Sequence, residues 1–493
     1  MGRDIDQVRF TREDRQRYRE KVKLDLEVLR RMLDDGLFET RRKLIGIEVE
    51  FHVVDSDGQP AMINDQLLAR IENPDFQTEL AQFNIEFNVA PHKLVGTVFS
   101  EIAEELLTSQ RYAQTQAREL DAHVVTIGIL PTLSGLHTTI QNLSANPRYH
   151  LLNEQILDAR GEDLVVSIEG RERLELSTSS IVMEAAATSV QLHLQVSPDG
   201  FARTWNAAQA ISAAQVAVGA NSPFLFGKEL WRETRIALFT QTIDTRTEEL
   251  AAQGVRPRVW FGERWIDQVT DLFDENVRYF NALLPLLDDE DPVAVLDGGG
   301  VPHLPELALH NGTVWRWNRP IYDVARGKPH LRIENRVLPA GPTVTDTLAN
   351  AAFYYGLVRG LADLDEPIER SLSFAAAQDN FFTAARDGVE SSLYWPTTGE
   401  VPATELVLRT LLPLAYAGLD AWGVDPADRD HFLGIIEGRC RVRRTGASWQ
   451  VATYRRLREA GADRRDALTE MTRAYLAGTH ADAPVHTWEL PSA

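Results

Sequence analysis

The residues with chemical capacity fall in four short runs of alternating character. In Leu44 to Val54, LIGIEVEFHVV, apolar Ile47, Val49 and Phe51 alternate with Glu48, Glu50 and His52. An extended chain there aims two carboxylates at one face and its apolar residues at the other. Two same-side carboxylates repel, and a cation held between them removes the repulsion. The pattern recurs in NIEFNVA, Asn84 to Ala90, which places Glu86 beside Asn88, and in SVQLHLQV, Ser189 to Val196, which places Gln191, His193 and Gln195 together. It recurs again in HLRIENRVL, His330 to Leu338, where His330, Arg332, Glu334 and Arg336 share a face.

Glu48, Glu50, Glu86, Gln191, His193 and Glu334 therefore form a candidate metal-ligand set rich in oxygen donors. Magnesium suits such a set, with manganese as the alternative ion, and zinc suits it less because these runs contain no cysteine. Arg332 and Arg336 are the candidate catalytic cations, suited to a bidentate hold on a carboxylate or to offsetting charge on a transferring phosphoryl group. Taken singly each signal is weak. An E-x-E strand is often a solvated sheet face, and Arg332, Glu334 and Arg336 also fit a cross-strand ion-pair ladder. Four runs with one facing favour a site.

Half-polar strands of this kind read as an antiparallel sheet with helices packed on one face, an α+β architecture. The remaining chain supplies the helices. Residues Thr11 to Asp35 predict an N-terminal helix ending at Gly36, and Phe99 to Ala122 predicts an amphipathic helix leading into a strand over His123 to Leu130. Residues 131–170 read as turn-rich, a place for a lid or substrate loop. Phe201 to Ala220 reads as one alanine-rich helix. Pro91 is expected to stop the second strand, and Thr345 to cap a helix running to Leu361. Residues 254–327, rich in Trp, Pro and Gly, read as irregular loops around a site. From about residue 365 the chain reads as mostly helical, over Phe374 to Arg386, Ala403 to Trp422 and Ser448 to Ala477. With no internal repeat or low-complexity linker, residues 1–493 are read as one catalytic domain.

Two basic clusters are further candidates for holding an anion such as a nucleotide. One is Arg235 in the segment Arg232, Glu233, Arg235, Asp244 and Arg246. The other is the island at Arg439 to Gln450, which includes Arg443 and Arg444. The whole chain of 493 residues carries a formal net charge of −21. This balance argues against nucleic acid or an anionic membrane as the partner and for small molecules. The single cysteine, Cys440, rules out an intramolecular disulfide and points to a reducing, cytoplasmic setting. No P-loop motif is present, so a nucleotide would be held by metals on a sheet.

The runs GIEVEF at 46–51, IEFN-x-AP at 85–91, Q-x-H at 191–193 and E-x-R-x-L-P at 334–339 resemble the glutamate–cysteine ligase family, in its carboxylate-amine ligase branch. TGASWQ at 445–450 and HADAPVHTW at 480–488 are similar to that branch's C-terminal end. The resemblance implies a glutamine-synthetase-like catalytic fold, an antiparallel sheet curved around ATP and two or three magnesium ions. It implies that ATP phosphorylates a substrate carboxylate, the γ-carboxylate of glutamate, and that an amine, that of cysteine, attacks the acyl phosphate. It assigns Glu48, Glu50, Glu86, Gln191 and Glu334 to the metals with His193 adjacent, and Arg336, then Arg235, to the substrate carboxylate or phosphoryl group. The alternatives are a same-fold ligase for another amine or a protein side chain, and an inactive regulatory relative.

Overall fold

The computed structural model describes residues 10–491. Its centre is a seven-stranded, wholly antiparallel sheet. We label its strands β1 (Leu44–Asp55), β2 (Phe76–Thr78), β3 (Asn84–Lys93), β4 (Ala122–Val125), β5 (Val190–Val196), β6 (Asn318–Ala325) and β7 (Lys328–Asn335). The order is β6-β7-β5-β1-β3-β2, and β4 pairs with the end of β1 that β5 does not reach. All four alternating runs became strands because one face of each is apolar. Ile47, Val49, Ile85, Phe87, Leu192, Leu194, Leu331 and Ile333 are all buried on that face.

The helices relevant to the sheet are α1 (Arg12–Asp34), α2 (Val98–Arg118), α3 (Pro198–Ala210), α4 (Val344–Ala362), α5 (Leu412–Trp422) and α6 (Pro426–Val442). Helix α4 is buried almost all round because it touches the sheet at β5 and is itself covered by α2, α3, α5 and α6. Its Tyr355 hydroxyl donates to the carbonyl oxygens of His193 (3.1 Å) and Gly46 (3.3 Å), which fastens α4 to β5 and β1. Helices α4 and α5 approach closely at Gly356, Gly360 and Gly418. A Cβ on Gly418 would lie 1.9 Å from the Gly356 carbonyl oxygen. A buried ion pair ties α6 to α4: Arg439 Nη2 reaches Asp346 Oδ1 at 2.8 Å, with both side chains almost wholly buried. Among the described residues no helix is long and apolar enough to cross a membrane.

The fold corrects several local expectations. Strand β3 runs through Pro91 to Lys93. A register shift between Ile45 and Ile47 lets one extra residue of β3 oppose β1 there, so the missing proline N–H falls in a bulge. The cap of α4 is Thr343, whose side chain accepts from Asp346 N, while Thr345 bonds Asp482 instead. The alanine-rich helix is interrupted at Ile211, and the last long helix breaks around Gly461, which sits at φ +102°. Residues 131–170 contain a helix, Pro147–Arg160, and the first strand of a separate hairpin, Leu164–Glu169.

The largest correction lies in residues 254–327, which hold three helices and the whole edge strand β6. Pro320 is tolerated in β6 because an edge strand leaves half of its N–H groups unpaired. The turn from β6 to β7 is two residues, Arg326 (φ 53°) and Gly327 (φ 70°). Positive φ at both positions matches the right-handed twist of a tight hairpin. The same segment also receives α1, whose Tyr18, Val22, Leu29 and Met32 are buried and whose Asp25 accepts from Leu307 N at 2.9 Å.

Two substitutions test this packing. Gly418→Ala should cost about 2 kcal/mol or more, because neither backbone at the α4–α5 crossing can retreat from the new methyl group. Asp346→Ala should cost about 3–5 kcal/mol by stranding the buried Arg439 guanidinium. Urea unfolding of both variants measures these losses, and wild-type midpoints would refute the account.

Candidate active site

The polar face of the sheet is a grid fixed by strand register. Glu50 of β1 pairs with Glu86 of β3, and Glu48 pairs with Asn88 on one side and Gln191 of β5 on the other. Glu334 of β7 pairs with His193 of β5 and, across the edge, with Arg319 of β6. One row further, Arg332 faces Gln195. These registers sort the acidic residues into two clusters. Ligand atoms of Glu48, His193 and Glu334 lie within 4.8 Å of one another, and so do those of Glu50, Glu79 and Glu86.

The first cluster is held by cations. His193 Nε2 stands 2.9 Å from Glu48 Oε1, and Arg319 grips Glu334 with Nε at 2.6 Å and Nη2 at 2.9 Å, a bidentate pair. Burial works to raise the pKa of Glu334, but Arg319, Arg336 and His193 together hold it well below the usual carboxylate range. Burial likewise opposes ionisation of Glu48, and the His193 charge and hydrogen bond bring it down.

The second cluster lacks such partners. Glu50 accepts from Ser189 N (2.7 Å), Ser189 Oγ (2.8 Å) and Gln191 Nε2 (3.3 Å), and Asn88 donates to Glu86 at 2.9 Å. Burial still raises Glu50 and, reinforced by the neighbouring glutamates, pushes Glu79 up to about 8 and Glu86 well above the ordinary range. Three carboxylates this close cannot all ionise unaided; they share protons or a cation. The donor set is all oxygen and its carboxylates are short of positive charge, which fits a hard divalent ion. The first cluster offers a second such ion two carboxylates and an imidazole.

Between the clusters sits Arg336. Its Nη1 donates to Gln191 Oε1 and, at 3.3 Å, to Glu334 Oε2, and Nη2 has no hydrogen bond among the described residues. Below Glu48 and His193 the face opens into a cleft of about 280 Å³. Leu44, Pro91 and Ala325 supply apolar wall, and Arg42, Lys328 and Arg332 supply positive charge.

Of the residues marked from sequence, Glu48, Glu50, Glu86, Gln191, His193, Glu334 and Arg336 share this face. Gln191 is turned so that its amide links Glu50 to Arg336. Arg332 is one row away, donating to His193 Nδ1 at 3.2 Å and paired with Asp323 at 2.9 Å. Arg235 is buried behind the face. It is paired with Glu233 at 3.1 Å and donates to the carbonyl oxygens of Arg336 and Val337, so it positions Arg336 from behind. In the same segment Arg232 and Arg246 are engaged by Glu229 and Asp244, so no open anion cluster forms.

Arg443 and Arg444 are not brought to the carboxylates. Arg443, exposed, ends α6 in the left-handed conformation, and Arg444 donates to the Trp488 carbonyl. Their charge is explained by the helix C-terminus they occupy.

Three residues escaped the sequence reading. Glu79 stands in the connection between β2 and β3, outside any alternation. Glu184, in the 3-10 turn Ile181–Ala186 just before β5, is pushed up to about 8 by burial and by Glu50. Arg319 was hidden by Pro320, although NRPIYDVA does alternate, with Arg319, Ile321 and Asp323 on the site face.

A carboxylate-lined antiparallel half-barrel backed by helices is the glutamine-synthetase-like catalytic fold. The chain superposes on the crystal structure of glutamate–cysteine ligase (gshA) from Francisella tularensis in complex with AMP. The TM-score is 0.55 at 13% identity, covering 92% of this chain and 91% of that one. A putative glutamate–cysteine ligase 2 of Pseudomonas aeruginosa (strain LESB58) is 29% identical over 201 residues, 39% of this chain. That match spans about half of the relative, 46% of its length. The model of glutamate-cysteine ligase family 2 (GCS2) matches residues 44–424, and the chain belongs to that family. The matched region starts at the first residue of β1 and ends just past α5, so it contains the sheet and the two helices behind it.

The electrostatics predict a pH dependence. A glutamate in the unfolded chain ionises near 4.5, whereas folded Glu79 and Glu184 ionise near 8. The folded state thus keeps protons that the unfolded state releases, and stability of the metal-free protein should fall as pH rises from about 5 to 8. Magnesium should restore more thermal stability at pH 8 than at pH 6, because in the cluster of Glu50, Glu79 and Glu86 it competes with the proton on Glu79. Thermal unfolding with EDTA or magnesium at both pH values measures this; an equal magnesium effect at the two would contradict it.

Proposed function

We propose that the protein is an ATP-dependent ligase that joins an amino-acid carboxylate, the γ-carboxylate of glutamate, to an amine, that of cysteine, through an acyl phosphate. The observation that carries the proposal is Arg336 standing between two carboxylate clusters on one open sheet face. That arrangement has little use except to manage several negative charges that approach together, and family membership supports the same reading.

Glu48, His193 and Glu334 would hold one magnesium ion and Glu50, Glu79 and Glu86 another. Bound there, magnesium would neutralise phosphate oxygens that the acidic face would otherwise repel. The cleft below Glu48 takes the nucleotide, its apolar wall against the base and Arg42, Lys328 and Arg332 toward phosphate. The acceptor carboxylate comes from the Glu50 side, so that its oxygen meets the γ-phosphorus near Arg336. The bond to phosphorus forms as the bond to ADP breaks, and Arg336 offsets the charge spread over the phosphoryl oxygens. The amine nitrogen then attacks the acyl carbon, the carbon–oxygen bond to phosphate breaks, and a carboxylate takes the amine proton. Glu184, with a pKa near 8, has matching basicity for that step.

The direct test is ATP consumption by the purified protein with magnesium and glutamate, screened against cysteine and other amines, with product mass read directly. The γ-glutamylcysteine mass is expected. A different adduct would identify another amine, and no ATP turnover with any pair would defeat the proposal. Glu48→Ala and Glu334→Ala should each lower magnesium-dependent turnover by about 10³-fold or more with the circular dichroism spectrum unchanged. Arg336→Lys, which loses the planar fork, should lower kcat about 10²-fold. Near-normal rates in all three would sink the site assignment.

A further inference from the structure

A second cleft, of about 230 Å³, opens where β5 ends and α3 begins. Its wall includes Arg203 and Thr204 of α3 and Val358, Arg359 and Ala362 of α4, the helices that cover the apolar face, together with Gln195, which also lines the active cleft. It therefore opens on the helix side and adjoins the active cleft at the end of β5. Four cationic side chains line it: Arg42, Lys43, Arg203 and Arg359. Its one lining carboxylate, Asp363, is taken by Arg359 at 2.5 Å. Lys43 and Arg359 both stand over the Trp422 ring, at 4.9 and 4.8 Å from its centroid. The Glu39 carboxylate, held by the backbone N–H groups of Arg41 and Arg42, lies 4.0 Å from the Arg42 guanidinium.

Arg203 is the informative member. It makes no hydrogen bond or ion pair among the described residues, and its Nε is sealed from solvent without a partner. With no partner among the described residues, the Arg203 guanidinium keeps its Nη donors available to an anion in the cleft. The first turn of α3 forms part of the wall, and Ser197 does not cap it, so the positive end of a 13-residue helix adds to the field. Four cations around one cleft with one lining counter-ion leave a local excess of positive charge that an entering anion would meet.

We infer that this cleft binds a small polyanion bearing phosphate or carboxylate groups, at a site that adjoins the active cleft through Arg42 and Gln195 but does not include its carboxylates. The inference does not rest on the catalytic reading. Arg42 lines both clefts, and Tyr355, one turn before Arg359 on α4, bonds the carbonyl of His193; occupancy would therefore be felt by β5.

Calorimetric titration of the full-length protein in EDTA with inorganic pyrophosphate, and separately with citrate, tests this. One equivalent of at least one anion should bind. Arg203→Ala and Arg359→Ala should each weaken it about tenfold or more, Arg203→Lys should weaken it less than Arg203→Ala, and Lys328→Ala, which lines only the active cleft, should leave it unchanged. Tighter pyrophosphate identifies a phosphate site and tighter citrate a polycarboxylate site. No binding of either anion up to about 10 mM, weaker than any useful affinity, would overturn the inference. So would affinity lost in Lys328→Ala but retained in both cleft variants whose circular dichroism is native.

Discussion

The structure is governed by the need to keep like charges together on a half-buried surface. Glu48, Glu50, Glu79, Glu86, Glu184 and Glu334 lie on or beside one sheet face, with Arg319, Arg336 and His193 among them. Positive charge is placed unevenly. Glu334 is held ionised by Arg319 and Arg336 and Glu48 is lowered by its bond to His193, whereas Glu79, Glu86 and Glu184 are left with elevated pKa values. The uneven half is where an external cation has most to gain, since it meets carboxylates that are otherwise protonated or repelling.

Holding such a face rigid requires a strong back. Helix α4 provides it, and its features follow from being enclosed: an apolar surface all round, glycines where α5 crosses, and Tyr355 bonded to two strand carbonyls. The C-terminal helices belong to this support. Arg439 of α6 pairs with Asp346 in the first turn of α4, and Arg235 holds the carbonyl oxygens at Arg336 and Val337. Several arginines whose charge suggests ligand binding are in fact structural, each engaged by a carboxylate or a carbonyl inside the protein.

Legibility in the sequence followed periodicity. Glu48, Glu50, Glu86, His193 and Glu334 were visible because each stands in a strand with one apolar face, and Arg336 because it continues the alternation one residue past β7; a period of two announces facing without tertiary information. Arg319 obeys the same period, but Pro320 made its strand read as a loop; only its place at the sheet edge makes proline acceptable there. Glu79 and Glu184 sit in a connection and a short 3-10 turn, where no period exists to report direction. Arg443 and Arg444 misled because charge density in one dimension does not show that a helix ends there.

The sequence by itself determined that there are strands, which residues share a face, that helices must cover the other face, and that the shared polar face is acidic enough to want a cation. Those are consequences of local chain geometry and side-chain polarity. Tertiary structure decided the rest. Whether Glu334 stands opposite His193 or a residue further along depends on register, and register is set by cross-strand pairing and by the bulge at Pro91 between chain segments far apart in sequence. The division into two clusters, with Arg336 between them, exists only once β7, β5, β1 and β3 lie side by side, because Coulomb interactions act across space and not along the chain.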